Sequence, residues 1–236
     1  YANVASGGAT TLGGIGTGYI YAAWKGQVAY TTPNFNGFQA TVGITNPNQI
    51  GTDGLFGSTN RQDRFGLEAK ASYSFVQDNF SGKVWVSGAS YDVTRSNDAE
   101  NTVSVGDIGA TVKAGDFGLT GYYYGGKGAG KTFLGFQGVD ANGNRRDSDG
   151  GYIQLTYVTP VKTKIGLAYG ISSLDRSSQE GNTNLVKDDE RYTVGLYHPL
   201  TKHLNLVAEY SNVYSQNQGG SSSTTNIGSL GGILFF

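Results

Sequence analysis

His198 and His203 are the only imidazoles in a chain of 236 residues that contains no cysteine. An imidazole titrates near neutral pH, so these two are the candidates for a general base or a paired metal ligand. His198 precedes Pro199 at a short turn and His203 opens the next strand-like run, so both flank one connection at a rim. Without cysteine there is no disulfide, thiolate metal site or cysteine nucleophile. Neither an HExxH helix nor a serine nucleophile elbow is spelled anywhere. The expectation is a chain with no catalytic residues, no cofactor and no metal.

The run "GGKGAGKT", Gly125–Thr132, satisfies the bare spelling of a phosphate-binding loop. Such a loop has to open a helix. This one lies between a tyrosine-rich run and "TFLGF", with no acidic magnesium partner evident, and reads as an outer loop. Two acidic stretches, "DANGNRRDSDG" and "LVKDDERY", lack EF-hand spacing. They read as solvated loops able to hold a divalent cation or to pair with Arg145 and Arg146.

The remaining charges of interest are Glu68, Lys70, Asp107, Lys113, Lys162, Lys164, Arg191 and Glu209. Each falls on the polar side of an alternating run, where water would keep it ionised without the desolvation it would meet in lipid. Rows of such charges bias the passage of ions and orient dipolar solutes. They are the candidate pore-lining residues, with Lys113 and Lys162 close enough to strand ends to mark a rim instead.

The elements that would position these charges are strands. A period of two runs through 26–33, 36–44, 64–76, 80–93, 103–114, 117–124, 151–159, 162–171, 190–198, 202–213 and 226–236. In 64–76, Phe65, Leu67, Ala69, Ala71, Tyr73 and Phe75 alternate with Gly66, Glu68, Lys70, Ser72 and Ser74. Ile153, Leu155 and Tyr157 oppose Tyr152, Gln154 and Thr156, and Ile165, Leu167, Tyr169 and Ile171 oppose Lys164, Gly166, Ala168 and Gly170. Strand 80–93 does not declare its face, since Val84 and Val86 oppose Trp85, Ala89 and Tyr91.

Short connections at 33–36, 77–79, 115–116, 159–161 and 200–201 alternate with longer ones at 45–63, 94–102, 125–150, 172–189 and 214–225. In an antiparallel meander this gathers short turns at one end and long loops at the other, the layout of outer-membrane barrels. Aromatic residues near strand ends, among them Tyr30, Phe38, Phe75, Phe80, Trp85, Tyr91, Phe117, Tyr169, Tyr192 and Tyr210, fit girdles at two lipid interfaces. They equally fit ordinary strand propensity.

Composition agrees with a single all-β domain. There are 38 Gly, 16 Tyr and 11 Phe against 4 Pro, and 17 Lys plus Arg against 18 Asp plus Glu. A net charge of -1 gives no basic stripe for nucleic acid. No apolar run approaches the ~18 residues of a membrane helix, a test that strands escape because only alternate side chains need be oily. The opening residues show no basic region followed by an apolar one, so no secretory signal is expected there.

These residues resemble a known family. "QVAYTTPNFNGFQATVGI" resembles the strand–turn–strand that follows the pore-constricting loop in trimeric general porins of Gram-negative outer membranes, "GLTGYYYGG" and "IGLAYGI" are porin-like strands, and "IGSLGGILFF" ends in the terminal Phe typical of outer-membrane proteins. The resemblance implies an antiparallel transmembrane β-barrel of sixteen strands, with about eleven in this chain as residues 26–236. It implies that residues 1–25 are the remainder of the constricting loop. Either the first five strands are lacking or 13–24 supplies a twelfth. Implied partners are outer-membrane lipid and lipopolysaccharide, small hydrophilic solutes and ions, and two further copies in a homotrimer.

The function expected is passive diffusion of ions and small hydrophilic solutes. The alternatives are a soluble all-β carbohydrate-binding or adhesive module, whose apolar faces would meet in a dry interior, and an outer-membrane barrel that is plugged and structural.

Overall fold

A computed structural model describes residues 14–22, 25–46, 59–61, 64–95, 100–132, 134–140, 142–181 and 184–236, with only the backbone of 59–61 and 93–95. It is one antiparallel sheet built from β1 (Gly26–Thr31), β2 (Phe38–Asn46), β3 (Thr59–Arg61), β4 (Gly66–Gln77), β5 (Phe80–Arg95), β6 (Glu100–Ala114), β7 (Phe117–Lys127), β8 (Asp147–Val158), β9 (Lys164–Leu174), β10 (Val186–Pro199), β11 (Leu204–Asn217) and β12 (Ser222–Leu234). Each long strand pairs with its neighbours in chain order, and the short β3 pairs with β5. Among the described residues β1 and β12 do not pair with each other, so the sheet has two free edges. No described helix is long and apolar enough to cross a membrane.

All eleven strands expected from alternation are present, with β3 added. Residues 14–22 form turns and an isolated bridge between Ile15 and Tyr19, not a twelfth strand. The contrast in loop length holds less widely than expected. β5 and β6 stay paired up to Thr94 and Glu100, and β11 and β12 up to Gln216 and Ser222. Backbone pairing therefore continues through residues assigned to long loops, and the 218–221 connection is as tight as those at the other end. At the short-turn end, Asn36 (φ 52°) and Gly37 (φ 97°) supply the left-handed pair that a tight hairpin needs.

Cross-strand register sorts the faces. Leu67 is 58%, Ile153 54%, Leu167 48%, Leu155 44% and Leu206 44% exposed. A sandwich would seal these side chains between two sheets; here they coat one open face of one sheet. On its short-turn end Phe75 packs on Phe80 (ring centroids 5.5 Å) and Phe117 on Tyr157 (4.8 Å), an aromatic band.

β5 is resolved by its partners. Trp85 is opposite Ser72 on β4 and Gly109 on β6, which puts Trp85, Ser87, Ala89 and Tyr91 on the polar face with Glu68 and Lys70. Gly109 is what makes room, because a Cβ there would meet the indole at 2.1 Å. Trp85 and Tyr91 are thus withdrawn from the aromatic set expected on the apolar face.

Candidate functional site

The polar face is where the chain folds over itself. Residues 14–22 lie against it: the Gly18 N–H donates to Ser172 Oγ (2.8 Å) and the Tyr19 ring sits 6.0 Å from that of Tyr122. Lys25 follows, its ammonium bound to Glu68, whose carboxylate also accepts from Tyr91 Oη and Gln27 Nε2. Tyr19 faces Tyr122 and Tyr152, whose tilted rings pack together from adjacent strands (5.5 Å), so three tyrosines form an aromatic wall. Burial raises the pKa of the Tyr19 hydroxyl, keeping it neutral.

The 128–146 connection also turns onto this face. Tyr21 N–H donates to Thr132 O and Leu134 N–H donates to Tyr21 O, both at 2.9 Å. Ile20, Ala129 and Leu134 join Tyr91, Val103 and Tyr124 in a small sealed cluster. The larger of the two buried apolar clusters among the described residues therefore lies between inturned segments and the sheet. Lys131 does not cradle a phosphate: its ammonium is inside an ion pair with Asp189 Oδ2 (2.6 Å), and only turns follow it. Burial pulls the pKa of Lys131 down, an effect that Asp189 opposes.

Two cavities flank Tyr19. The first, about 440 Å³, carries Lys164, Arg191, Tyr197 and Glu209, and the second, about 500 Å³, carries Glu68, Lys70, Trp85 and Asp107; Tyr19 and Tyr152 border both. In the first, Arg191 Nε is bound to Thr193 and Ser211, Tyr197 donates to Glu209, and the Lys164 ammonium lies 5.7 Å from the Tyr197 ring. In the second, the Lys70 ammonium lies 5.7 Å from Trp85 and Ser87 donates to Asp107. Charges fixed on a polar wall in this way act through their field, without bond making.

Six of the eight charges expected on polar faces are thus brought into two groups. Lys113 and Lys162 join neither: Lys113 is next to the end of β6, and Lys162 (φ 62°) is in the 159–163 turn, both exposed. Sequence reasoning missed Lys25 and Lys83, the latter sharing the polar face with its partners Ser74 and Thr111. It also missed Tyr19, Tyr122, Tyr152 and Tyr197, although the parity of Tyr122 and Tyr152 with polar neighbours was available.

The acidic stretches are engaged internally, and the second, 185–192, is not a loop but falls almost wholly in β10. Arg146 grips Glu180 through Nε (2.8 Å) and Nη2 (2.5 Å), and Arg145 reaches Thr102 O. Burial alone would raise the Asp140 carboxyl, but hydrogen bonds from Ser177, Asn144 and the Asn142 N–H outweigh it and hold the pKa at about 2. Among the described residues no cluster of three or more His, Asp or Glu could hold a metal. The histidine rings have separate partners, His198 Nδ1 with Thr163 Oγ1 and His203 Nδ1 with Phe235 O.

A family profile described as Gram-negative porin matches residues 1–218. Among solved structures, the outer membrane channel DcaP of Acinetobacter baumannii aligns over 89% of this chain and 62% of its own, at 18% identity and TM-score 0.69. The outer-membrane expressed OmpT of Vibrio cholerae aligns over 89% and 64%, at 15% and 0.55. The anion-selective porin from Comamonas acidovorans aligns over 87% and 55%, at 13% and 0.54. The chain therefore spans less than two thirds of each, and identities this low speak to fold alone. No curated protein sequence matches the chain.

Proposed function

The chain belongs to the Gram-negative porin family, proteins of the bacterial outer membrane, and on that premise we propose that the protein is a passive channel for ions and small hydrophilic solutes. The observation that carries this reading is the division of one sheet into an open apolar face, with Leu67, Ile153, Leu155, Leu167 and Leu206, and a polar face holding two charged cavities. Hydrocarbon suits the first and water the second. A sheet cannot leave unpaired edges in lipid, so β1 and β12 need strand partners in the working barrel, which a sixteen-stranded architecture supplies. The band of Phe75, Phe80, Phe117 and Tyr157 suits one lipid boundary.

In this reading residues 14–22 narrow the water path, and Glu68, Lys70, Asp107, Lys164, Arg191 and Glu209 line it, with Lys113 and Lys162 at its rim. Transport needs no covalent step and no cofactor. A homotrimer in contact with lipopolysaccharide completes the proposal. The full-length protein, reconstituted in planar lipid bilayers, is expected to give stepwise ohmic conductance. Folded, detergent-soluble barrels that pass no current would instead support a plugged structural barrel, and detergent-free monodispersity would support a soluble module.

A further inference from the structure

The position of residues 14–22 depends on a second loop. Tyr21 is clamped between Thr132 and Leu134 by two backbone hydrogen bonds, and Ile20 and Leu134 share one sealed cluster. The loop residue next to this clamp is Lys131. Its ammonium meets Asp189 Oδ2 and, at 3.3 Å, Val186 O on β10, while Asp189 Oδ1 accepts from Ser215 on β11. The Lys131 and Asp189 side chains are only 5% and 3% exposed. Elsewhere the same loop is tied to the β9–β10 connection by Arg146–Glu180 and by Ser177 donating to Asp140.

We infer that Lys131 is a positioning residue for the constriction: its ion pair with Asp189 fixes residues 129–134 to the wall, and these hold Tyr21, and with it Tyr19, over the polar face. The inference rests on the diffusion reading above. Removing one member of a buried pair strands the other charge without compensation, so the loop cannot keep its seat when Lys131 loses its charge. Tyr19 borders both cavities, so any release of its segment joins them. The Lys127–Asp147 pair, at 3.7 Å and exposed on both sides, is a surface contact between β7 and β8 and serves as the control.

The test compares full-length wild type with Lys131→Met, Asp189→Asn and Lys127→Gln in planar bilayers, together with amide exchange at Tyr21 and Leu134. Lys131→Met and Asp189→Asn are expected to accelerate exchange at both amides and to raise single-channel conductance about twofold, with a larger size limit for neutral solutes, as expected for a wider constriction. Lys127→Gln should change neither. Should the charge variants fail to fold, Ser215→Ala supplies a milder comparison: it removes only the hydrogen bond that holds Asp189 and should accelerate exchange at both amides by a smaller factor. Conducting channels whose exchange and conductance ignore these changes overturn the inference alone. A folded wild type that passes no current overturns the diffusion reading and this inference with it.

Discussion

Gly18 and Gly170 meet backbone to backbone where the inturned segment crosses the sheet. A Cβ on Gly18 would be 3.0 Å from Gly170 Cα and 2.4 Å from Gly151 O, and one on Gly170 would be 2.1 Å from Thr17 O. Both obstacles are main chain, which cannot step aside as a flexible side-chain end can. Gly170→Ala is therefore expected to lift residues 14–22 from the wall at a cost of about 1–3 kcal/mol. Limited proteolysis of the folded barrel should then cut within 14–22 well before the wild type is cut.

Ser172 receives two donors, the Gly18 N–H at 2.8 Å and Tyr124 Oη at 3.0 Å, in a place closed to solvent. Ser172→Ala leaves both without an acceptor, worth about 1–3 kcal/mol for an orphaned buried group. Tyr124→Phe removes one donor and leaves the Gly18 bond. The expected order of Gly18 amide exchange is Ser172→Ala fastest, Tyr124→Phe intermediate and wild type slowest.

Leu167 and Ala168 are adjacent residues on opposite faces of β9, opposite Leu155 and Gln154 on β8. The same substitution should therefore have unlike effects at the two positions. Leu167→Arg puts a guanidinium on the lipid side and is expected to lower folding stability in lipid vesicles by about 2–4 kcal/mol near the bilayer centre. Ala168→Arg keeps it in water, with little effect on folding and a shift in ion selectivity toward anions. Urea titrations in vesicles and reversal potentials under a salt gradient measure the two outcomes.

Acid should loosen the 134–146 loop. The folded pKa of Asp140 is held at about 2, below the ordinary aspartate value, so its contribution is complete above that ordinary value and is lost as pH falls toward 2. Glu180 is depressed in the same direction, chiefly by hydrogen bonds from Arg146. The Asp140 share is roughly 2 kcal/mol. Pepsin digestion should find the loop resistant at pH 5 and progressively cleavable from about pH 4 to pH 2. Asp140→Asn should shrink that pH dependence.

The strands were legible because alternation at Phe65–Phe75 or Ile165–Ile171 has no rival period, and a two-residue period also fixes which charges share a face. β5 was not legible because apolar residues occupy both parities; only its register with Ser72 and Gly109 decides. The site was half legible. Lys164, Arg191 and Glu209 follow from parity, but their meeting in one cavity depends on neighbouring strands aligning. Lys131 and Asp189 are separated by 58 positions, and a glycine-rich spelling pointed Lys131 toward phosphate. Pairing across such a distance leaves no local pattern. Loops 94–102 and 214–225 misled because serine, threonine and asparagine serve turns and wet strands alike.

The two-faced sheet is tested most directly by spin-label accessibility along β9, since the 236 residues contain no native cysteine to compete. Single cysteines replace Lys164, Ile165, Gly166, Leu167, Ala168 and Tyr169 in turn, in the full-length protein in bilayers. Labels at 165, 167 and 169 should relax with lipid-dissolved oxygen and those at 164, 166 and 168 with an aqueous nickel chelate, a strict two-residue alternation. Labels at 165, 167 and 169 that contact neither quencher would place those side chains in a sealed protein interior and contradict the account.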